Sequence, residues 1–542
     1  MPHCMVHFQS RMGMAQYIPA GVLLGCAGAQ YGLFDVKNCI EGIWKVEEVP
    51  HLSLDAELWG EDAALCGAEC PLVSEGCDSL VVVVFAQRIA PLHTLSFPQL
   101  PIPPPPGSMY SLNRLPRSAA FKSSANLLRR NASATSAGGV NVVGFENKGP
   151  AATSSLTVAI KAGSRYETTP GVAHVLKSFA YKATASASAL RTAREAELYG
   201  GVLSAALTRE HLLLSAEFLR GDEEHFLNVL ASVLSSSQFY RHELSELVLP
   251  VVEAETISSQ AIPSTIALDL AHSLAFRRGL GNSLYANKNY PVSIDDVKSF
   301  GEAAFAKSNI AVIGTGVSTE ALAKAVSNAF GAGTSSGSKL STPKANYYGG
   351  ETRVPLDIHA PATATPTMVI AFGTSSPASA DLKVLKHLLG GETSVKWTPG
   401  ASPLAQAADK IPGASAKAFL LPYSDAALFG VVLSAPTSAE TKTLAQEVAS
   451  IVKNAGEFKE EEVKRAVAKA TFEDAASTET LSGFVAAAGP AALVGSVPEA
   501  QSFSGVSASS ISKAAGELLK GKPTVVSIGN ISILPYADEL GL

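Results

Sequence analysis

Three polar side chains lie on one face of an apolar helix predicted near residue 174. His174, Lys177 and Ser178 are three and four residues apart, which makes side chains neighbours on an α-helix. Zinc-dependent hydrolysis of a peptide bond requires two imidazole ligands at this spacing, with a carboxylate that deprotonates the metal-bound water. This helix offers one imidazole, one ammonium and one hydroxyl. The residue types therefore predict a helix placed like a metal site but lacking the ligands that zinc needs.

The segment around these residues resembles the pitrilysin-type metallopeptidases, whose inverted signature is H-x-x-E-H. His174 matches the first His, whereas Lys177 stands at the catalytic Glu and Ser178 at the second His. The resemblance implies a third ligand far downstream, where Glu255 fits and Glu253 is close by. An ammonium at the catalytic position repels a metal cation. We therefore expect a degenerate site with no catalytic residue, metal or cofactor, in which His174 is a hydrogen-bonded helix residue.

The composition is that of a folded, globular chain. It has 542 residues, 46% of them apolar and 17% charged, with a net charge of −6. This length allows several domains with a full core, and the mild acidity argues against nucleic acid as a partner. Because no run of 18 apolar residues occurs, we expect membrane association only through partner proteins.

The first 108 residues differ in character from the rest. All six cysteines lie before residue 78, and a proline run covers residues 101–106. The spacing of Cys66, Cys70 and Cys77, with no His among them, fits no common zinc site. We therefore expect incidental thiols here. Since residues 109–542 contain no Cys, we expect neither disulfides nor iron–sulfur ligands there.

Residues 109–131 have the composition of a mitochondrial transit peptide. Residues 109–145 contain five basic residues and no Asp or Glu. Phe121, Ala125 and Leu128 would form an apolar stripe on a helix, which is typical of such a peptide. Because a transit peptide acts at the N-terminus, we expect translation to start at Met109, cleavage near residues 130–132, and residues 1–108 to come from an over-extended gene model. The alternative is a genuine extra domain.

Strand and helix patterns in residues 132–330 recur in residues 346–542, and a Gly/Ser-rich linker at 331–345 separates the halves. Helices are predicted at 188–207, 318–330 and 380–389, and a strand at 140–145. The predicted equivalent pairs are strands 156–160 and 367–372, strands 212–218 and 427–434, helices 222–234 and 441–454, helices 243–258 and 457–476, and strands 309–314 and 523–529. This order predicts a duplicated α+β fold. With the resemblance, it implies two homologous peptidase-like domains, each an antiparallel-rich sheet with packed helices.

Two segments refine the resemblance within the family. Residues 272–285 are similar to a segment shared by the core proteins of mitochondrial ubiquinol–cytochrome c reductase and the subunits of the mitochondrial processing peptidase. The loop at 388–404 is poorer in Gly than that of the peptidase's non-catalytic subunit. Its G-G-x-x-S-x-K-W form is similar to the second core proteins of fungi.

This resemblance implies a structural and assembly role on the matrix side of the mitochondrial inner membrane. The implied partners are a homologous core protein 1 subunit and the cytochrome b, cytochrome c1 and iron–sulfur subunits. Two alternatives stay open. One is a presequence-binding, non-catalytic subunit of the processing peptidase. The other is an active zinc endopeptidase, which would require Lys177 and Ser178 to be irrelevant.

Overall fold

The computed structural model describes residues 132–146, 153–330, 337–356, 363–391, 400–456, 458–499 and 501–542. All of them belong to one compact unit, Pro116–Leu542. The predictions for the six cysteines, the transit peptide and the start at Met109 lie outside the described residues, as does most of the loop after residue 391.

The strands of the described residues form two sheets. They are β1 (Ala132–Ala137), β2 (Val140–Phe145), β3 (Thr153–Ile160), β4 (Val202–Leu207), β5 (Leu212–Leu219), β6 (Ile310–Thr315), β7 (Gly350–Pro355), β8 (Thr367–Thr374), β9 (Ser415–Pro422), β10 (Ala427–Ser434) and β11 (Thr524–Gly529). The first sheet has the order β1-β2-β6-β3-β5-β4, and the second has β7-β11-β8-β10-β9.

The helices of six or more residues cover these sheets. They are α1 (Val172–Ser178), α2 (Ala189–Leu198), α3 (Glu223–Ser236), α4 (Leu249–Gln260), α5 (Pro263–Phe276), α6 (Ile294–Ala304), α7 (Thr319–Phe330), α8 (Ala380–Leu389), α9 (Pro403–Ala408), α10 (Ser438–Lys453), α11 (Glu460–Ala476), α12 (Leu481–Leu493) and α13 (Ala508–Leu519). A helical turn, Arg241–Glu243, and a π-helical turn, Leu244–Val248, lead into α4. In the described part of the chain, none of these helices has the length and hydropathy to cross a bilayer.

The two sheets share one topology, which confirms the predicted duplication. Without β1, the first order is β2-β6-β3-β5-β4, and it matches the second sheet strand for strand. The pairs β2–β6 and β11–β7 are parallel. Every other neighbouring pair is antiparallel. The strand equivalences predicted from the sequence are those of β3 with β8, β5 with β10 and β6 with β11.

One predicted helix is wrong in its second half. Residues 188–207 were expected to be helical, but α2 ends at Leu198, and residues 202–207 form the edge strand β4. Gly200 turns the chain at φ +66°, and a Cβ on Gly201 would lie 2.2 Å from the Phe226 ring. The chain therefore reverses at the two glycines, and β4 gains a full antiparallel ladder with β5. That pairing outweighs the helix propensity of the alanines.

In each half, one helix packs against the sheet of the other half. Helix α5 packs against the second sheet, where Ala271 and Phe276 join a buried cluster with Val369. Helix α12 packs against the first sheet, where the Phe145 and Phe484 rings meet edge-to-face with centroids 4.3 Å apart. The halves are therefore held together by apolar cores that belong to both.

The described part of the predicted linker lies against the folded halves. The backbone N–H of Leu340 donates to the Asn309 side chain at 2.8 Å, and that of Ala345 donates to Asp425 at 2.9 Å. Residues 337–345 are therefore anchored by hydrogen bonds to both halves, although their composition is typical of a flexible linker.

Candidate functional site

Helix α1 holds His174 in a buried position that a glycine makes possible. Gly171 precedes the helix at φ +86°, and a Cβ there would lie 2.7 Å from Ala286. Because Gly171 lacks that atom, the chain at Ala286 lies close enough for its N–H to donate to Nδ1 of His174 at 3.1 Å. The His174 side chain is 3% exposed. The nitrogen Nδ1 is thus an acceptor, which places the proton of a neutral imidazole on Nε2.

The carboxylate of Glu255 on α4 accepts hydrogen bonds from both the His174 imidazole and the Lys177 ammonium. His174 Nε2 lies 2.5 Å from Glu255 Oε2. The ammonium of Lys177 lies 2.7 Å from Oε1 and 2.5 Å from Oε2. The structure therefore brings together three of the residues that the sequence singled out, and Lys177 bridges both oxygens of the carboxylate.

Electrostatics favour one charge state for this cluster. Burial lowers the pKa of His174 by more than the Glu255 hydrogen bond raises it, and the positive charge of Lys177 adds a smaller lowering. Burial acts to raise the pKa of Glu255, but the hydrogen bonds from Lys177 and His174 outweigh it, so that the pKa is lowered. At neutral pH the cluster is a neutral imidazole beside an ammonium–carboxylate pair.

The other two candidate residues do not join this cluster. The Ser178 hydroxyl donates to the backbone carbonyl of His174 at 3.1 Å, a local bond that is common for Ser within helices. Glu253 points to the exposed side of α4, where its carboxylate pairs with Lys288. Neither side chain is aimed at Glu255.

These residues do not fit the zinc ion that the peptidase signature implies. His174 and Glu255 are two ligands, whereas a zinc site takes three or four. The ammonium of Lys177 already occupies the position opposite the carboxylate where a cation would bind. Within the described ranges, no group of three or more His, Cys, Asp or Glu side chains is arranged to hold a metal. The cluster provides neither a bound nucleophile nor a free base.

The second half contains a counterpart of this cluster that sequence reasoning missed. Helices α8 and α11 follow their strands in the same order as α1 and α4. Glu473 on α11 accepts from Lys386 at 2.6 Å and from His387 Nε2 at 2.8 Å. The His387 hydrogen bond, together with Lys386, lowers the pKa of Glu473 to about 2. The duplicated order of elements was the signal that could have identified these residues.

A buried arginine joins the two halves, and no sequence motif pointed to it. Both oxygens of Asp425 accept from the Arg165 guanidinium, at 2.7 and 2.6 Å, and Glu210 accepts at 2.8 Å. The Arg165 side chain is 4% exposed. Its hydrogen bond holds the pKa of Asp425 below the usual range. We refer to Arg165, Glu210 and Asp425 as the interdomain clamp.

A second polar contact between the halves involves His272, which lies in the segment similar to core and processing-peptidase subunits. Its Nδ1 lies 2.6 Å from the carbonyl of Leu268, and its Nε2 lies 2.7 Å from the Tyr423 hydroxyl. A carbonyl can only accept, so Nδ1 carries the proton and Nε2 accepts from Tyr423. Burial lowers the pKa of His272 to about 3. The residue is therefore a neutral, structural histidine.

Comparisons with known proteins agree with this fold. The family described as "Insulinase (Peptidase family M16)" matches residues 142–288, and "Peptidase M16 inactive domain" matches residues 291–470. Among solved structures, a protease from Helicobacter pylori superimposes with a TM-score of 0.65 at 16% identity, over 73% of this chain and 99% of the protease. That likeness shows the fold.

Several similar curated proteins carry the name "Cytochrome b-c1 complex subunit 2, mitochondrial". The Yarrowia lipolytica protein is 38% identical over 76% of this chain and 97% of its own length. The Neurospora crassa protein is 37% identical over 75% of this chain and 90% of its own. The human protein is 31% identical over 74% and 90%. These relatives confirm the expected resemblance to the fungal second core proteins. The chain therefore belongs to the M16 peptidase family and, within it, to the family of the mitochondrial cytochrome b-c1 complex subunit 2.

Proposed function

We propose that this chain is a non-catalytic, structural and assembly subunit of the mitochondrial cytochrome b-c1 complex, the ubiquinol–cytochrome c reductase. The complex transfers electrons from ubiquinol to cytochrome c, and this subunit supports the subunits that do so. The ion pair between Lys177 and Glu255 carries the proposal. It places a fixed protein cation where a hydrolase of this fold requires a metal and an activated water.

The partners and the location follow from the same proposal. The subunit would pair with a homologous core protein 1 and contact the cytochrome b, cytochrome c1 and iron–sulfur subunits. It would face the matrix at the inner membrane and reach the bilayer through these partners. We further propose that residues 109–131 act as a transit peptide, that 132–330 and 346–542 are the two peptidase-like domains, and that residues 1–108 are absent from the mature protein.

The charge that lines a cavity between α8, α9 and α11 disfavours a presequence-binding role. Presequences are rich in Arg and poor in acid, so their receptor needs anionic groups. The cavity is lined by Arg465 and Lys469, together with His387. Among its described lining residues the one acid is Glu462, which accepts the backbone N–H of Lys459. A basic peptide would be repelled here rather than bound.

Native electrophoresis of mildly solubilised mitochondrial membranes, with peptide identification in each band, tests this proposal. We expect the chain to migrate with cytochrome b in one large assembly. Migration as a small soluble heterodimer from the matrix would refute the proposal and favour the processing peptidase. The same peptides test the N-terminus, because any peptide from residues 1–100 would show that this segment is expressed.

A further inference from the structure

A cavity close to the second-half cluster is not used by the proposed role. It encloses about 180 Å³ between the end of α8, the start of α9 and the first half of α11. Ligand pockets for drug-sized molecules measure about 300–1,000 Å³. This cavity therefore suits a small group, such as one functional group of a larger molecule, rather than a whole nucleotide.

Two cationic side chains, Arg465 and Lys469, line this cavity. Arg465 and Lys469 lie four residues apart on α11 and share one face. Among the residues that the structure describes, neither makes an ion pair or a hydrogen bond. Like charges at this spacing repel each other. A bound anion would remove that repulsion and supply acceptors for both donors.

Two acids of α11 near this pair make contacts of their own. Glu462 accepts the N–H of Lys459 at 3.1 Å within a capping box at the start of α11. Glu473, one turn beyond Lys469, is bound by Lys386 and His387. Glu462 keeps its negative charge in its hydrogen bond with Lys459, so the two cations and one carboxylate among the described lining residues leave a net charge of +1. The apolar wall, formed by Leu388, Phe458 and Ala466, lowers the local dielectric constant and strengthens attraction for an anion.

The arrangement of donors favours an anion with several oxygens. A guanidinium binds phosphate in a forked, two-bond geometry, and an ammonium adds a compact charge. The Gln406 amide also lines the cavity, and its nitrogen makes one long contact of 3.4 Å with the Ala401 carbonyl. We propose that this cavity is a binding site for a phosphate group, held by Arg465, Lys469 and Gln406. The phosphate belongs to a soluble compound or to a phospholipid headgroup.

Calorimetric titration of the full chain with inorganic phosphate, in a phosphate-free buffer, tests the site. We expect saturable binding of one phosphate per chain, with Kd of about 1 mM or tighter. Because each charged hydrogen bond is worth about one power of ten or more, Arg465→Gln and Lys469→Gln should each weaken binding about tenfold. Both residues are exposed, and unchanged circular dichroism would show that the variants fold.

Lys464→Gln is the matched control, because Lys464 is exposed on the same helix but is not part of the cavity lining. Its phosphate affinity should equal that of the wild type. Absence of saturable binding, or equal weakening by all three substitutions, would overturn the proposal.

Flotation with phosphatidylcholine vesicles, with and without phosphatidylglycerol, shows whether the bound phosphate group belongs to a lipid or to a soluble compound. Binding only to the anionic vesicles, with displacement by free phosphate, supports a lipid headgroup. Phosphate binding without vesicle binding supports a soluble compound. These measurements do not depend on assembly into the complex, so they can fail while the proposed function stands.

Discussion

Replacing Lys177 with Met tests whether its ammonium stabilises the degenerate site. The substitution keeps the apolar stem and removes the charge that bridges both oxygens of Glu255. Removing one partner of a fully buried ion pair costs about 3–5 kcal/mol, whereas an exposed pair is worth about 0–1 kcal/mol. The side chains of Lys177 and Glu255 are 16% and 38% exposed. Water therefore replaces part of the lost interaction, and we expect a loss of about 1–2 kcal/mol in the free energy of unfolding.

The assay is urea unfolding of the full chain at neutral pH, followed by circular dichroism. Lys288→Met is the matched control, because its partner Glu253 lies on the same helix and the two side chains are 72% and 49% exposed. It should change stability by less than about 0.5 kcal/mol. The lowered pKa of Glu255 adds a second test. Its stabilisation is present above the unfolded carboxyl pKa and is lost as the pH falls through the folded value. The difference between wild type and Lys177→Met should therefore shrink below about pH 4.3. The reasoning is refuted if Lys177→Met is as stable as wild type, or if it matches Lys288→Met.

Three further outcomes are expected. The double variant Lys177→Glu/Ser178→His restores the peptidase signature and should bind about one Zn²⁺ per chain by atomic absorption. Ser178→His alone should bind none. Stoichiometric zinc in the wild type would contradict the conclusion that the native residues do not fit a zinc ion. Since the folded pKa of His272 is about 3, the unfolded chain gains a proton at this residue below pH 6.5 that the folded chain excludes, so His272 alone lowers the free energy of unfolding by about 1.4 kcal/mol per pH unit. His272→Gln should reduce the slope of stability against pH by that amount in urea titrations, whereas the exposed His242→Gln should leave it unchanged, and equal slopes in all three proteins would disprove the assignment. Arg165→Met leaves two carboxylates of the interdomain clamp without their cation and should lower the free energy of unfolding by about 3–5 kcal/mol, with faster proteolysis between the halves. If the variant unfolds in urea and is cleaved by protease just as the wild type is, Arg165 does not have this role.

Sequence patterns predicted a strand or helix correctly where local propensity and tertiary packing favour the same structure. The strands β3, β5, β8 and β10 are apolar runs buried in the middle of their sheets, and their composition alone predicted them. The edge strand β4 was predicted as helix, because its short, Ala-containing segment carries little β signal. Its state depends on pairing with β5, which no local pattern contains. The exchange of α5 and α12 between the halves is equally invisible, since an apolar helix face does not specify which sheet covers it.

The candidate site, too, was predictable from the sequence only in part. The residue types at 174, 177 and 178 determined by themselves that this helix lacks the zinc ligands of the H-x-x-E-H signature, because ligand chemistry depends on which atoms are present. The repeated order of strands and helices determined the duplicated fold. Only the tertiary structure decided that Lys177 bridges both oxygens of Glu255, that Ser178 turns back to its own helix, and that Arg165 joins the halves. Those outcomes depend on distances between segments far apart in the chain, and burial sets both the strength and the charge state of each contact.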